Sequence, residues 1–271
     1  MRLGTLVRTP LVAVLLIAFV LFIVLPFVMI LLEAFGADWF GMRLLPGQWT
    51  LKWFVWATQS TNIGAVLLNT VVIALIATVV SLVLSIPAAW AIARMHLPLK
   101  GPLLGAILFP RMIPEITFAL GVAKIFYSLG LTNTYIGIGL SHVILAAPFA
   151  VLVLISSFEG MDDRLLEAGT VMGCTPAQLF RRVIVPLALP GISAAALFSF
   201  LASYNDFVLT LMVYGADTVT LPVQTYLSIG NGYMSVAGAL SVILLIPSLL
   251  FLLLLLRMIR PENLLGGLKG T

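Results

Sequence analysis

The sequence predicts an all-α membrane protein of six transmembrane helices, and three observations carry that prediction. Of its 271 residues, 62% are hydrophobic and only 9% charged, where soluble domains average about 25% charged residues. Apolar runs long enough to cross a ~30 Å hydrocarbon core recur along the chain. The basic residues collect in alternate loops, as the positive-inside rule requires.

The six runs lie at about 11–32, 63–92, 102–126, 134–158, 188–213 and 235–256. The first follows "MRLGTLVRTP" and is about twice the length of a signal-peptide apolar region, so it reads as a retained span. With the N-terminus placed in the cytoplasm, the inside segments hold Arg2, Arg8, Arg94, Lys100, Arg164, Arg181, Arg182, Arg257, Arg260 and Lys269. The outside loops hold only Arg43 and Lys52, while Arg111 and Lys124 fall in the third span. Ten against two puts both termini inside. The net charge of +4 is spread over short loops rather than gathered in one patch, which argues against nucleic acid as a partner. Cys174 is the only cysteine, so neither an intrachain disulfide nor a cysteine metal site is expected.

Between the first two spans, "QWTLKWFVWATQ" spaces Trp49, Trp53 and Trp56 to share one face of a helix lying in the headgroup layer. Pro87 is expected to kink the second span. No soluble stretch exceeds about 30 residues, and residues 1–271 therefore read as a single membrane domain.

One stretch does not fit this greasy background. Residues 159–190 carry Glu167, Arg181 and Arg182 on a segment with no long apolar run. Asp162 and Asp163 suit the cap and first turn of a helix running through "RLLEA". Gly173 permits its termination. Thr175 then caps a second helix, with Pro176 at its first position, which runs to Pro186. Leu165, Leu166, Ala168 and Met172 supply an apolar surface too small to form a core alone, so a partner must cover it.

This segment resembles the cytoplasmic loop of permease subunits of binding-protein-dependent ABC importers, of pattern E-A-A-x3-G-x9-I-x-L-P. Glu167, Ala168, Gly169, Gly173, Val183, Val185 and Pro186 stand at those places, with Gly169 for the second Ala and two valines for Ile and Leu. "LLNTVVIALIATVVSLVLSIPAAWAIAR", "MIPEITFALG" and "FSFLASYNDFVLTLMVYG" are similar to the family's spans. The resemblance implies a type I ABC importer permease fold in the bacterial cytoplasmic membrane. It also implies that Glu167, Ala168, Gly169, Met172, Gly173 and Pro186 form or flank a coupling helix seated on an ATPase subunit. The expected partners are two copies of that ATPase, a second homologous permease, a periplasmic or lipid-anchored solute-binding protein, and lipid. ATP and Mg would sit on the ATPase, with no cofactor on this chain. "LALPGISAAALFSFLASYNDF" and "TLPVQTY" are most similar to polyamine-type permeases, whereas "LLGGLKGT" is similar to sugar-type ones.

The residues themselves exclude a self-sufficient enzyme. No G-x4-G-K-[ST] stretch is present, and His96 and His142 are isolated from any metal-ligand or nucleophile pattern. Ionisable groups at membrane depth cost at least ~2.5–3.5 kcal/mol each and mark the bundle interior or a water-filled path. Arg111 and Glu115, four apart, are placed to neutralise one another on one helix face. Tyr204, Asn205 and Asp206 are expected to line the outer half of the translocation path within the fifth span. An ion-coupled carrier using Asp206 or Glu115 is the reading from a different class, and it leaves the hairpin unexplained.

Overall fold

The computed structural model describes residues 10–39 and 45–258. Arg2, Arg8, Arg43, Arg260 and Lys269, all used in the charge count, lie outside them, as does the tail beyond Met258. Among the described residues, five helices are long and apolar enough to cross a membrane, and a bent pair makes up to six if it counts as one span.

The elements in chain order are α1 (Pro10–Phe35), β1 (Gly36–Ala37), β2 (Gln48–Trp49), α2 (Lys52–Ser60), α3 (Ile63–Arg94), α4 (Lys100–Met112), α5 (Glu115–Ser128) and α6 (Tyr135–Glu159). There follow α7 (Asp163–Val171), α8 (Pro176–Leu179), a π-helical turn (Phe180–Ile184), α9 (Val185–Tyr204), α10 (Val208–Val213), α11 (Leu221–Gly230) and α12 (Met234–Met258). Contacts group the described residues into two compact units, 10–39 and 45–64 with 224–246, and 65–223 with 247–258.

In the first unit, α1 exposes apolar side chains on every face from Val14 to Leu31, as a lipid-bathed span does. A two-residue antiparallel ladder follows, with Gly36 paired to Trp49 and Ala37 to Gln48. Trp49 therefore sits in a strand and not on the helical face shared by Trp53 and Trp56. The reason is local: Thr50 N–H donates to the Phe35 carbonyl at 2.8 Å, which holds the chain extended until α2 begins. Trp53 Nε1 donates to the Gly36 carbonyl at 2.7 Å, and Trp56 packs on Tyr233 with ring centroids 4.8 Å apart.

In the second unit α6 is the central helix. Its face of Ala150, Val151, Leu154, Ile155 and Phe158 packs with Ala89 and Ile92 of α3 and with Ala188 and Ala195 of α9. Small residues on α3 and α9 let the backbones approach, which is how helices associate where lipid removes the hydrophobic drive. Leu209 of α10 closes a second cluster with Ala119 and Val122 of α5 and Leu145 of α6.

Two spans are not the continuous helices the apolar runs suggest. The third breaks after Met112, where Ile113 turns extended and α5 restarts at a 97° bend. Pro114 causes this: it disfavours helical geometry for the residue before it and stands at the N-cap of α5. The fifth ends at Tyr204, and the Asn205–Phe207 break precedes the short α10. At its other end the fifth span starts earlier than expected. Pro186 does not stop the hairpin's second helix, and helix continues from Pro176 to Tyr204. The π-helical turn just before Pro186, with Val185 N–H bonded to the Phe180 carbonyl, accommodates a residue that has no N–H and crowds the preceding turn.

Candidate functional site

Two places collect the residues that the sequence marks out. The first is the hairpin formed by α7 and α8. Asp162 caps α7 by accepting the Arg164 N–H at 2.9 Å. Past its end, Gly173 N–H reaches the Thr170 carbonyl at 2.9 Å and Cys174 N–H the Gly169 carbonyl at 3.1 Å. These two bonds form a Schellman termination, and Gly173 takes the left-handed conformation it needs, at φ +80°. Thr175 and Gln178 then exchange side-chain and backbone bonds in a capping box that opens α8.

Packing divides the α7 face in two. Gly169 is buried under α8, where a Cβ would stand 2.5 Å from Leu179 Cδ1. Leu166 is half-buried on the main core. Glu167 and Ala168 are exposed, while Val171 and Met172 are 87% and 77% exposed. These two neighbouring side chains form an exposed apolar tip on the hairpin. Val171 escaped the sequence reading, although its place in the last turn beside Met172 is visible there. Pro186 lies outside this exposed face, within α9.

The second place is a cavity of about 290 Å³ lined by Arg111, Glu115, His142, Leu145, Ala202, Asn205, Asp206, Phe207 and Val208. Its volume lies at the lower edge of the range for small-molecule sites, about 300–1,000 Å³. Both broken spans feed it: Arg111 comes from the last turn of α4, Glu115 from the first residue of α5, and Asn205 and Asp206 from the break after α9. Non-helical backbone at membrane depth is tolerated where it lines such a space.

The expected pairing of Arg111 with Glu115 on one helix face does not form, because the 97° bend falls between them. Arg111 instead donates its Nε–H to the Leu145 carbonyl at 2.9 Å and lays its guanidinium over the Phe149 ring at 4.3 Å. Neither contact uses its two terminal nitrogens. Glu115 shares the cavity with both Arg111 and Asp206 and is close enough to feel the charge of each.

Asp206 has a partner that its sequence neighbourhood does not disclose. His142, 2% exposed, brings Nε2 to 3.2 Å from Asp206 Oδ1 and 2.9 Å from Thr210 Oγ1. Its Nδ1 is 2.7 Å from Ser203 Oγ. Thr210 adds its N–H and hydroxyl to the same Asp206 oxygen, at 3.0 and 3.2 Å. In the neutral ring with Nε2–H aimed at Oδ1, Nδ1 accepts from the Ser203 hydroxyl. Three helices, α6, α9 and α10, are thereby tied at the break. His142 thus acts as a hydrogen-bonder between packed helices, and the sequence hides its link to Asp206 because the contact is long-range.

Tyr204, expected to line the path, does not reach the cavity. Its side chain is fully buried and stacks on Phe200, with ring centroids 5.6 Å apart.

Residues 81–262 match the family model described as binding-protein-dependent transport system inner membrane component. The trehalose transport system permease protein SugB of Mycobacterium tuberculosis is 31% identical over 84% of this chain and 85% of its own length. The spermidine/putrescine transport system permease protein PotC of Haemophilus influenzae is 24% identical over 89% of this chain and 93% of its own. The diacetylchitobiose uptake system permease protein DasC of Streptomyces coelicolor is 27% identical, with 83% of each covered. In shape, the chain is similar to one from a crystal structure of a bacterial ABC transporter involved in import of the acidic polysaccharide alginate. The TM-score is 0.73 at 20% identity, over 96% of this chain and 99% of that one.

Proposed function

The chain belongs to the family of binding-protein-dependent transport system inner membrane components, the permeases of ABC importers, and from that premise we propose that it carries a small hydroxylated, sugar-like solute. Membership sets aside the ion-coupled carrier, and the family is not itself catalytic. Nucleotide and Mg belong, on this reading, to two ATPase subunits that seat on Glu167, Ala168, Val171 and Met172. A second permease completes the pathway, and a binding protein delivers solute to it. Closure of the ATPase pair moves the hairpin and switches the side to which the cavity opens.

The observation that carries the solute class is Arg111 in one cavity with Glu115 and Asp206. A polyamine brings several ammonium groups into a space that already holds a guanidinium. At an effective dielectric of ~20, like charges ~4 Å apart cost about 4 kcal/mol. A hydroxylated, uncharged solute meets no such cost. It accepts from the terminal nitrogens of Arg111 and donates its hydroxyl protons to the carboxylates. The similarity to permeases named for trehalose and diacetylchitobiose supports this reading. The two carboxylates and the similarity to PotC support a polyamine as the second reading.

The test is capture of the chain from native membrane with whatever binds it, followed by reconstitution in liposomes. ATP hydrolysis is then followed as trehalose, diacetylchitobiose, putrescine or spermidine is added. Stimulation by the sugars is expected. Stimulation by the polyamines alone would overturn the solute class, and capture without any ATPase would overturn the coupling role.

A further inference from the structure

The turn that joins α6 to the hairpin is held by a residue from another helix. Arg94, the last residue of α3, directs its guanidinium into this turn, with its side chain only 15% exposed. One terminal nitrogen donates to the carbonyls of Phe158 and Met161, at 2.5 and 2.6 Å. The other donates to the carboxylate of Asp163, the first residue of α7. These acceptors bracket the turn: Phe158 is in the last turn of α6, Met161 lies between the helices, and Asp163 opens α7. Lys100 Nζ, at the start of α4, adds a bond to Glu159 Oε1 at 3.0 Å.

The two carbonyls lie at and beyond the end of α6, where last-turn carbonyls lack partners within the helix and a cation is favoured. The guanidinium reaches these acceptors with N–H groups set apart on two nitrogens in one rigid plane, whereas an ammonium, with its three donors on a single atom, would need all three acceptors gathered around one point. The Asp163 side chain is 74% exposed, so screening leaves that ion pair a small share. The part-buried guanidinium–carbonyl bonds are the ones that hold.

We propose that Arg94 is the positioning residue of the hairpin, fixing the direction in which α7 leaves the bundle. It thereby sets where Val171 and Met172 are presented. The inference rests on the reading of that hairpin as the ATPase seat. It adds that the seat is aimed from α3, so that a loosened Arg94 lets the ATPase bind and hydrolyse ATP without moving the spans in step.

The test uses the whole complex captured from membrane, in liposomes, with uptake per ATP hydrolysed as the readout. Spin labels at Thr170→Cys, exposed on α7 outside the proposed seat, and Val83→Cys in a Cys174→Ser background report the hairpin's direction through their distance distribution. Arg94→Gln should keep the ATPase bound and active while uptake per ATP falls roughly tenfold and the distribution broadens. Arg94→Lys should fall between, and Asp163→Asn should be close to wild type. Wild-type coupling and a wild-type distribution in Arg94→Gln would overturn the proposal. So would a loss in Asp163→Asn equal to that in Arg94→Gln, since an ordinary ion pair would then explain it. Should Arg94→Gln fail to accumulate, the same measurements on Arg94→Lys decide, and a wild-type distribution there overturns it. If Glu167→Lys still retains the ATPase, the seat is elsewhere. The distance measurement then still shows whether Arg94 aims the hairpin.

Discussion

His142 Nε2 stands 3.2 Å from Asp206 Oδ1, joining α6 to the break between α9 and α10. Ser203 and Thr210 complete the node, and all four side chains are buried or nearly so. Replacement of His142 by leucine would leave Ser203 Oγ without its partner and Asp206 Oδ1 without its donor from α6. Unmade buried bonds of this kind cost about 1–3 kcal/mol each. His142→Leu should therefore lower stability by about 3 kcal/mol, read as earlier thermal unfolding in detergent. His142→Gln, which keeps a donor and an acceptor, should lose less. Equal unfolding temperatures for wild type and His142→Leu would show that the node does not tie the helices.

Gly173 ends α7 at φ +80° with open space around its α-carbon. The constraint is thus conformational rather than steric. Asparagine, which tolerates the left-handed region, should be accepted there, while Gly173→Val should distort the Schellman turn at a cost of about 1–2 kcal/mol. Uptake should survive in Gly173→Asn and collapse in Gly173→Val, with both proteins inserted. Full uptake by Gly173→Val would mean that the turn geometry is immaterial to coupling.

What the sequence disclosed and what it hid divide along physical lines. Spans were legible because lipid demands about 20 apolar residues in a row, a one-dimensional signal. The hairpin was legible because its caps are local: Asp162, Gly173, Thr175 and Pro176 each act within a few residues of themselves. The third-span break was half legible. Pro110 and Pro114 both announce it, yet Pro110 sits inside α4 and only Pro114 marks the restart. The fifth-span break was not, since "SYNDF" carries neither proline nor glycine. Its stabilisation comes in part from Thr210, four residues on from Asp206, and in part from His142, whose pairing across helices leaves no trace in spacing. For the same reason Arg111 looked paired to Glu115 by a helical offset of four, when the chain between them turns aside.

Orientation rests on charge counting and is open to a direct check. Val171, at 87% exposed, is a good reporter for the hairpin. In a Cys174→Ser background, with the chain expressed without its ATPase so that nothing covers the hairpin, Val171→Cys should react with a membrane-impermeant maleimide in inverted vesicles and not in intact spheroplasts. Labelling in the spheroplasts would reverse the topology and remove the hairpin from the side where ATP is available.

The sharpest test of the cavity is Asp206→Asn. The side chain is 7% exposed, and Oδ1 takes bonds from Thr210 N–H, Thr210 Oγ1–H and His142. An asparagine placed with its carbonyl oxygen there keeps all three. The variant should therefore insert and assemble, with the loss confined to charge. A hydroxylated solute forfeits one charged acceptor among several groups, a change of about 1–1.5 kcal/mol, so apparent affinity in uptake should weaken roughly tenfold. A polyamine would fare worse, for the cavity would keep Arg111 and lose one of its two carboxylates. A drop of about a hundredfold or more, some 2.8 kcal/mol, would assign the solute to the polyamines. Unchanged uptake would reduce Asp206 to the cap that holds α10 at the break.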